Sequence, residues 1–159
     1  MDAAAAQARL REASDAILAG VAAALPAWFA GRVAFIADAW GRLDAPARAT
    51  LDTAARDAAV TTTARVTDAL RVLFGTEAEA QRTTPLEIVR TAAVDVAAVL
   101  AAAGIPPVER DAFDERAFPE DAYGVIPSSL SELGDEDLGP LQLAWGLAKA
   151  RVLRGGADS

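Results

Sequence analysis

Apolar side chains recur three and four residues apart along most of this chain, and this spacing constrains the fold more than any other feature. Phe29, Val33, Ile36, Trp40 and Leu43 illustrate it, with separations of 4, 3, 4 and 3 residues. Such a period places one side chain per helical turn on the same face. No segment combines the alternation and the β-branched enrichment of a strand. The sequence therefore predicts an all-α fold, a bundle of four or five main helices.

Helix-breaking residues divide the periodic segments into separate predicted helices. Pro26 suits the first turn of a helix, where its missing N–H needs no partner, so we expect a break just before it. Gly75 and Gly104 are expected to end two further helices, because glycine adopts the left-handed conformation of a helix C-terminus without strain. The predicted helices cover about residues 3–24, 26–43, 45–74, 85–103 and 140–153 of a single domain, residues 1–159, whose tail frays from about residue 155.

Two polar segments predict helix N-termini. In DAP, Asp44 is an N-cap whose carboxylate accepts hydrogen bonds from free backbone N–H groups. In TPLE, Thr84 caps the next helix and Glu87 is expected to bond back to the cap, which makes a capping box. Arg82 and Arg90 flank this start, an arrangement that would also suit an anion. Because the capping box uses the same N–H donors, we expect a structural role instead.

The net charge of −8 is concentrated in one segment. Residues 109–137 hold ten acidic and two basic residues, so this segment carries a charge of −8 and the rest of the chain carries none. Helical periodicity is also lost there, and we name residues 105–139 the acidic strap. The chain has no basic stripe able to neutralise phosphates, so we expect no nucleic-acid partner.

Three aromatic residues, Phe113, Phe118 and Tyr123, predict how the acidic strap is held. They lie five residues apart and match no single helix face. We expect them to insert into the bundle and to hold the last helix against it, while the acids of the strap face water. The alternative is a docking surface for a basic protein partner. The acids of that surface would be Asp114, Glu115, Glu120 and Asp121.

The absence of histidine and cysteine limits the chemistry of this chain. A Ser-His-Asp triad, a thiolate nucleophile and a histidine or cysteine metal site are all excluded. The carboxylates of the strap match no calcium-loop spacing, so we expect no metal site and no cofactor. The composition favours a non-catalytic interaction or accessory protein that docks through the acidic strap, and it indicates no catalytic residue.

A small-molecule-binding bundle is the alternative function, with an apolar pocket between the strap and the last two long helices. Its contacts would come from Arg110, Arg116, Tyr123 and Trp145. Lys149 lies one turn after Trp145, so we expect its aliphatic stem to cover the indole. A homodimer is a further expectation, because Trp28 and Phe35 widen the apolar arc of their helix beyond one seam.

The longest uncharged run, residues 16–31, is shorter than the roughly 20 apolar residues of a membrane-spanning helix. Acidic residues before this run also argue against a signal peptide. We therefore expect no membrane partner and a cytoplasmic location. Arginine greatly outnumbers the single lysine, Lys149, and asparagine is absent, which indicates the codon usage of a high-GC bacterium.

Three segments of the second half, QRTTPLEIVR, AGIPPVERDAFDERAFPEDAYGVIPSSL and LAWGLAKARV, resemble an uncharacterised family of small all-helical proteins from high-GC bacteria. The resemblance covers about residues 79–153. It implies no activity and no catalytic residues. The last helix of that family often carries histidine near the positions of Arg151 and Val152, and this chain has none. The resemblance groups the Thr84 helix start, the acidic strap and the Trp145 helix as one unit.

Overall fold

The computed structural model describes residues 2–117, 121–124 and 138–158. Within these ranges the chain forms α-helices and one 3₁₀ turn, Ala78–Ala80, with no strand. The helices are α1 (Ala3–Trp40), α2 (Ala45–Gly75), α3 (Pro85–Arg90), α4 (Ala92–Ala102), α5 (Ala112–Ala117) and α6 (Leu138–Asp158). The predicted all-α bundle is confirmed.

Two long helices, α1 and α2, form the centre of the bundle and are joined by residues 41–44. A connection this short makes them antiparallel neighbours. Their buried positions recur at intervals of eleven residues. In α1 this period joins Ser14, Leu25 and Ile36, and in α2 it joins Leu51, Thr62 and Leu73. Eleven residues correspond to about 3.67 residues per turn, close to the natural pitch, so one seam stays buried along the whole pair.

The remaining helices cover two different parts of this pair. The α6 helix runs antiparallel to the first half of α1, since Leu141 lies beside Gly20 and Gly155 lies beside Ala3. The α4 helix packs on α2 and α1 nearer the connecting turn. We name the two extremities accordingly: the turn end carries α4, and the open end carries α6 and the chain start.

Pro26 lies inside α1, so the predicted break before it is wrong. A proline in a helix interior removes one N–H donor and costs about 3 kcal/mol. Leu25 and Phe29, on either side, are fully buried in the core, and packing of this kind outweighs the local cost. The carbonyl of Ala22 loses its usual partner, but Ala22 is exposed and water can bond it.

The predicted helix over residues 85–103 is divided at Thr91 into α3 and α4. The N–H and the hydroxyl of Thr91 both donate to the carbonyl of Ile88, which tightens the helix at this point. Arg65 of α2 donates to the hydroxyl of Thr91 at 2.9 Å and to its carbonyl at 3.5 Å. The contact that holds this division joins two residues 26 apart in the sequence, so local spacing does not reveal it.

The N-terminus of α3 is capped by Thr84 as predicted, but the reciprocal half of the capping box is wrong. The hydroxyl of Thr84 accepts from the N–H of Glu87 at 3.3 Å. The Glu87 carboxylate accepts from the Thr83 hydroxyl at 2.6 Å instead of bonding back to the cap. The N–H of Leu86 donates to Gln142 of α6 at 2.6 Å. These bonds occupy donors that an anion would need, so the start of α3 packs this helix against α6.

The other helix ends follow the predictions in part. Asp44 begins α2 and accepts a backbone N–H at 2.8 Å, as expected. Gly104 follows α4 with a φ of 79°, and Gly41 ends α1 with a φ of 66°. The prediction for Gly75 is wrong, because this residue stays within α2 and Thr76 is the C-cap. The α6 helix extends through Asp158, beyond the predicted end near residue 153.

By length and composition, α1 could cross a membrane, and among the described residues it is the helix with this property. An 18-residue window within it has a mean hydropathy of 1.6, and 28% of that window is buried. The core helix of a soluble protein and an N-terminal signal sequence share these features. The cytoplasmic location therefore stays a prediction.

Candidate functional site

The described part of the acidic strap is held against the bundle by Tyr123. Its hydroxyl donates to the carbonyl of Ile105 at 2.6 Å, and both residues are buried. The N–H of Val108 donates to the carbonyl of Ala122 at 3.2 Å, which ties the two arms of the strap together. Gly124 then turns the chain with a φ of 66°. The predicted role of Tyr123 as a buried contact is consistent with this placement.

Burial also affects the ionisation of Tyr123. Removal from water disfavours the charged phenolate, so burial raises the pKa of this tyrosine above its ordinary value. The phenol therefore stays protonated at neutral pH and donates to Ile105. This state suits a structural contact, and it gives Tyr123 no catalytic advantage.

Phe113 lies on the surface, contrary to the prediction. It lies on the six-residue helix α5 and is 68% exposed, so the prediction that it inserts into the bundle is wrong. Glu109 and Glu115 lie close to it in sequence and are exposed as well. Ala117, one turn after Phe113, is also exposed. On α5, Arg116 and Ala117 lie on the same side as Phe113, whereas Glu115, two residues on, lies on the opposite side. We name the exposed residues Glu109, Phe113, Glu115, Arg116 and Ala117 the strap face.

The other predicted strap residues fall into two groups. Asp121 is buried, with 2% of its surface exposed, so the expectation that this acid faces water is wrong. Arg116 is exposed, and Arg110 is partly buried. The second group lies outside the described part of the chain. It consists of Phe118, Glu120 and the side chain of Asp114.

Trp145 is buried in the bundle and lies far from Tyr123. Its ring centroid is 6.3 Å from that of Phe74, near the end of α2. Lys149 lies beside the indole, as expected, but the contact shown is that of its ammonium, 5.2 Å from the ring centroid. Tyr123 bonds to Ile105, just after α4, at the turn end. The two ends of α2, a helix of 31 residues, are about 45 Å apart at a rise of roughly 1.5 Å per residue. The structure therefore does not bring Trp145 and Tyr123 into one pocket.

Trp28 and Phe35, the residues predicted for a dimer contact, differ in exposure. Trp28 is partly buried and packs against the core. Phe35 is 62% exposed, and the guanidinium of Arg32 lies 5.1 Å from its ring. A homodimer through these residues stays a prediction.

A cleft of about 330 Å³ at the open end was not predicted. We name it the open-end cleft. Leu10, Leu18 and Phe74 form its apolar wall. Its polar groups are Gln7, Arg11, Ser14, Asp15, Arg71, Thr76, Glu77 and Gln81.

Two polar residues in the wall of the open-end cleft are buried. Ser14 occupies a position of the buried α1 seam and donates to the carbonyl of Leu10 at 2.8 Å. The amide nitrogen of Gln81 donates to the carbonyls of Leu73 and Thr76 at 2.9 and 3.0 Å. Its amide oxygen is buried and accepts no hydrogen bond from the described residues. Serine at a seam position was the sequence signal that could have indicated this cleft.

A second, more apolar groove of about 460 Å³ runs between α1 and α6. We name it the α1–α6 groove. Its floor is formed by Ala13, Ala16, Leu141, Ala144, Leu147 and Ala148. Arg9 and Arg151 line it together with a single acid, Glu12. Leu147 is 56% exposed, and the neighbouring Leu143 is 65% exposed, so the floor continues onto the surface of α6.

No group of three or more acidic side chains able to hold a metal ion occurs within the described ranges. The described residues offer three separate candidate surfaces, namely the strap face, the polar open-end cleft and the apolar α1–α6 groove. Comparison with models of protein families, with curated proteins and with solved structures finds no match to this chain. The resemblance to the uncharacterised helical family stays a prediction.

Proposed function

We propose that this chain is a non-catalytic interaction or accessory protein that docks a basic, apolar partner through its strap face. The observation that carries the proposal is the contrast between Tyr123 and Phe113. Tyr123 is 5% exposed and holds the strap, whereas Phe113 is 68% exposed on the same strap. The strap thus has one aromatic residue for attachment and one available for contact.

The surroundings of Phe113 favour a docking role over the incidental exposure of a single apolar side chain. A single exposed apolar side chain is common on protein surfaces. Here, however, the phenylalanine lies on a short helix that takes little part in the packing of the described helices, and exposed charged residues lie close to it in sequence, the acids Glu109 and Glu115 and the base Arg116. A large aromatic contact with charges around it is the usual composition of an interface hot spot and its rim.

The charge of the strap specifies the partner. Carboxylates at a contact rim attract lysine and arginine side chains and increase the association rate. An apolar pocket would receive the phenyl ring. The partner is therefore a protein surface with an apolar depression and basic residues beside it, and not a nucleic acid, whose phosphates the strap would repel.

Site-specific photocrosslinking tests this proposal. A photoreactive phenylalanine analogue at position 113 should give adducts with a partner protein in the native host, because it replaces a ring that we place in the contact. The matched control carries the same analogue at position 72, where Val72 is 71% exposed on α2. Adducts at 113 that disappear in a Glu109→Gln, Glu115→Gln background support docking. Equal labelling at both positions, or none at 113, contradicts it.

A small-molecule-binding bundle is a second candidate function, and one observation favours it. The open-end cleft contains the buried Gln81, whose amide oxygen accepts no hydrogen bond from the described residues. A buried acceptor without a partner costs about 1–3 kcal/mol, which a ligand donor can recover. The ligand would be a small amphiphile whose hydroxyl or amine donates to Gln81 and whose apolar part lies against Phe74 and Leu18.

Fragment screening by thermal shift tests the second candidate. Fragments that carry a hydroxyl or amine on an apolar ring should raise the melting temperature of the wild-type chain. They should have little effect on Gln81→Met, which keeps the volume and removes the whole amide, both the free acceptor and the donor to Leu73 and Thr76. Stabilisation of both proteins by the same fragments would contradict a role for this cleft.

A further inference from the structure

We propose that the ligand of the open-end cleft is a free amino acid with an apolar side chain. This inference rests on the second candidate function and names the ligand class for that cleft. An amino acid carries an ammonium group, a carboxylate and a side chain on one carbon, so it requires hydrogen-bond acceptors, a cation and an apolar wall within a small space. The residues that line the open-end cleft include all three.

The acceptors lie where the cleft meets the C-terminal end of α2. The amide oxygen of the buried Gln81 accepts no hydrogen bond from the described residues. Glu77 also lines the cleft, is exposed, and forms no ion pair in the described part of the chain. The last carbonyls of a helix carry the negative end of its dipole, which favours a cation. This end of the cleft therefore favours an ammonium group.

Arg11 is the cation available for the carboxylate, because the other arginine of the cleft has a partner. Arg71 pairs with Asp68 at 2.8 Å. Arg11 is exposed in the cleft and forms no ion pair among the described residues, although Asp15 lies four residues further along α1. A guanidinium with free N–H groups can bind a carboxylate through two parallel hydrogen bonds.

The antiparallel packing of α1 and α2 places the charged groups beside the apolar wall. Counted from the two ends of the connection at residues 41–44, Arg11 of α1 and Phe74 of α2 lie equally far along their helices, 29 residues from the terminal residue of each. A ligand whose charged groups contact Arg11 and Glu77 therefore lies next to the Phe74 ring. Its side chain can pack on this ring and on Leu10 and Leu18.

The charge and the volume of the cleft distinguish an amino acid from related ligands. Two arginines and two acids line the cleft, Arg11, Arg71, Asp15 and Glu77, so their charges cancel. A ligand with no net charge but with both signs matches this lining better than a simple amine or a simple carboxylate. The volume of about 330 Å³ lies at the lower end of the range for small-molecule sites, which suits a single amino acid.

Isothermal titration calorimetry with L-phenylalanine tests this inference, together with two analogues that each lack one charged group. Phenethylamine lacks the carboxylate, and 3-phenylpropanoate lacks the ammonium group. We expect L-phenylalanine to bind the wild-type chain with a Kd about tenfold or more below that of either analogue, because each charged contact contributes separately. Equal affinities for the three compounds, or no binding of L-phenylalanine, overturn the inference.

Two substitutions test the charged contacts. Arg11→Gln should weaken the binding of L-phenylalanine about tenfold and leave that of phenethylamine unchanged, since phenethylamine has no carboxylate. Glu77→Gln should weaken L-phenylalanine and leave 3-phenylpropanoate unchanged. Arg9→Gln is the control for the arginine, because Arg9 lines the α1–α6 groove instead. Glu79→Gln is the control for the acid, because Glu79 lies on the 3₁₀ turn outside the cleft lining. Equal losses in a variant and its control overturn the inference.

The outcomes also separate this inference from the second candidate function. Suppose that hydroxyl or amine fragments stabilise wild type but not Gln81→Met, while L-phenylalanine binds no tighter than its analogues. The cleft is then a small-molecule site, and the amino acid is overturned as its ligand. Failure of the fragments and of L-phenylalanine overturns both. Tighter binding of L-phenylalanine that depends on Arg11 and Glu77 supports both.

Discussion

The hydroxyl of Tyr123 donates to the carbonyl of Ile105 at 2.6 Å, and this buried bond joins the acidic strap to the end of α4. Tyr123→Phe removes the donor, keeps the ring and leaves a buried carbonyl without this partner. We expect the free energy of unfolding to fall by about 1–2 kcal/mol. Urea unfolding followed by circular dichroism measures the change. A loss below a few tenths of a kcal/mol would show that the strap is not attached through this bond.

The pKa of Tyr123 predicts how stability depends on pH at the alkaline end. Burial raises the pKa of this tyrosine in the folded state above its ordinary value of 10.0. The neutral phenol is therefore favoured by folding, and its contribution to stability is complete below about pH 10 and lost as pH rises through the folded pKa. We expect wild type to lose more stability than Tyr123→Phe in this range.

Tyr123 is the only tyrosine in the chain, so tyrosinate absorbance near 295 nm reports it alone. We expect its titration in the folded chain to lie above that of the urea-unfolded chain. Coincident titration curves would contradict the burial of this residue.

Asp95 is predicted to hold α4 against α2 through two bonds. Its carboxylate accepts from the buried Thr62 hydroxyl at 2.7 Å and from Arg65 at 2.9 Å. Asp95→Ala should lower the free energy of unfolding by about 1–3 kcal/mol, because Thr62 and Arg65 lose their acceptor together. Asp68→Ala is the control, since Asp68 pairs with Arg71 on an exposed face of α2 and should change stability by less than about 0.5 kcal/mol. Equal effects of the two variants would mean that the Asp95 bonds do not join the helices.

Substitution of Pro26 is expected to raise the free energy of unfolding, in contrast to the substitutions above. Because α1 continues through this residue, Pro26→Ala restores one helical hydrogen bond and should stabilise the chain by about 1–3 kcal/mol. Gly31→Ala, where an added Cβ meets no atom within 4 Å, should add about 0.5–1 kcal/mol by favouring the helix. Thermal unfolding of both variants measures these gains. A destabilised Pro26→Ala would indicate two helices with a required break, as the sequence pattern predicted.

The sequence predicts those parts of the fold that depend on nearby residues. The buried positions of α1 and α2 follow from spacing, and Asp44, Thr84 and Gly104 act at the helix ends where they were expected. Each of these features is decided within one or two turns of helix. The local sequence pattern is therefore sufficient to predict these features.

The errors occur where distant contacts decide the outcome. Pro26 is tolerated because the core packs on both sides of it, and Thr91 divides a helix because Arg65 bonds to it from α2. The side chain of Gln142 accepts a hydrogen bond from the N–H of Leu86 at the start of α3, 56 residues away in the sequence. None of these partners can be identified from local spacing.

The site was predicted less well than the fold for a related reason. Aromatic residues five apart indicate different directions but do not say which one faces the core. Tyr123 is buried and its hydroxyl bonds to Ile105 across 18 residues, whereas Phe113 lies on an exposed helix. The open-end cleft and the α1–α6 groove arise between helices that are far apart in sequence, so only their assembly reveals them.

The central claim is that Phe113 faces outward for contact while Tyr123 holds the strap, and the unfolding free energy of Phe113→Ala tests it most directly. The measurement is made at sub-micromolar concentration, where a micromolar dimer is dissociated. With the ring 68% exposed, we predict a value within about 0.5 kcal/mol of wild type. A loss of about 3 kcal/mol or more, as expected for a phenylalanine buried in a core, would contradict the claim.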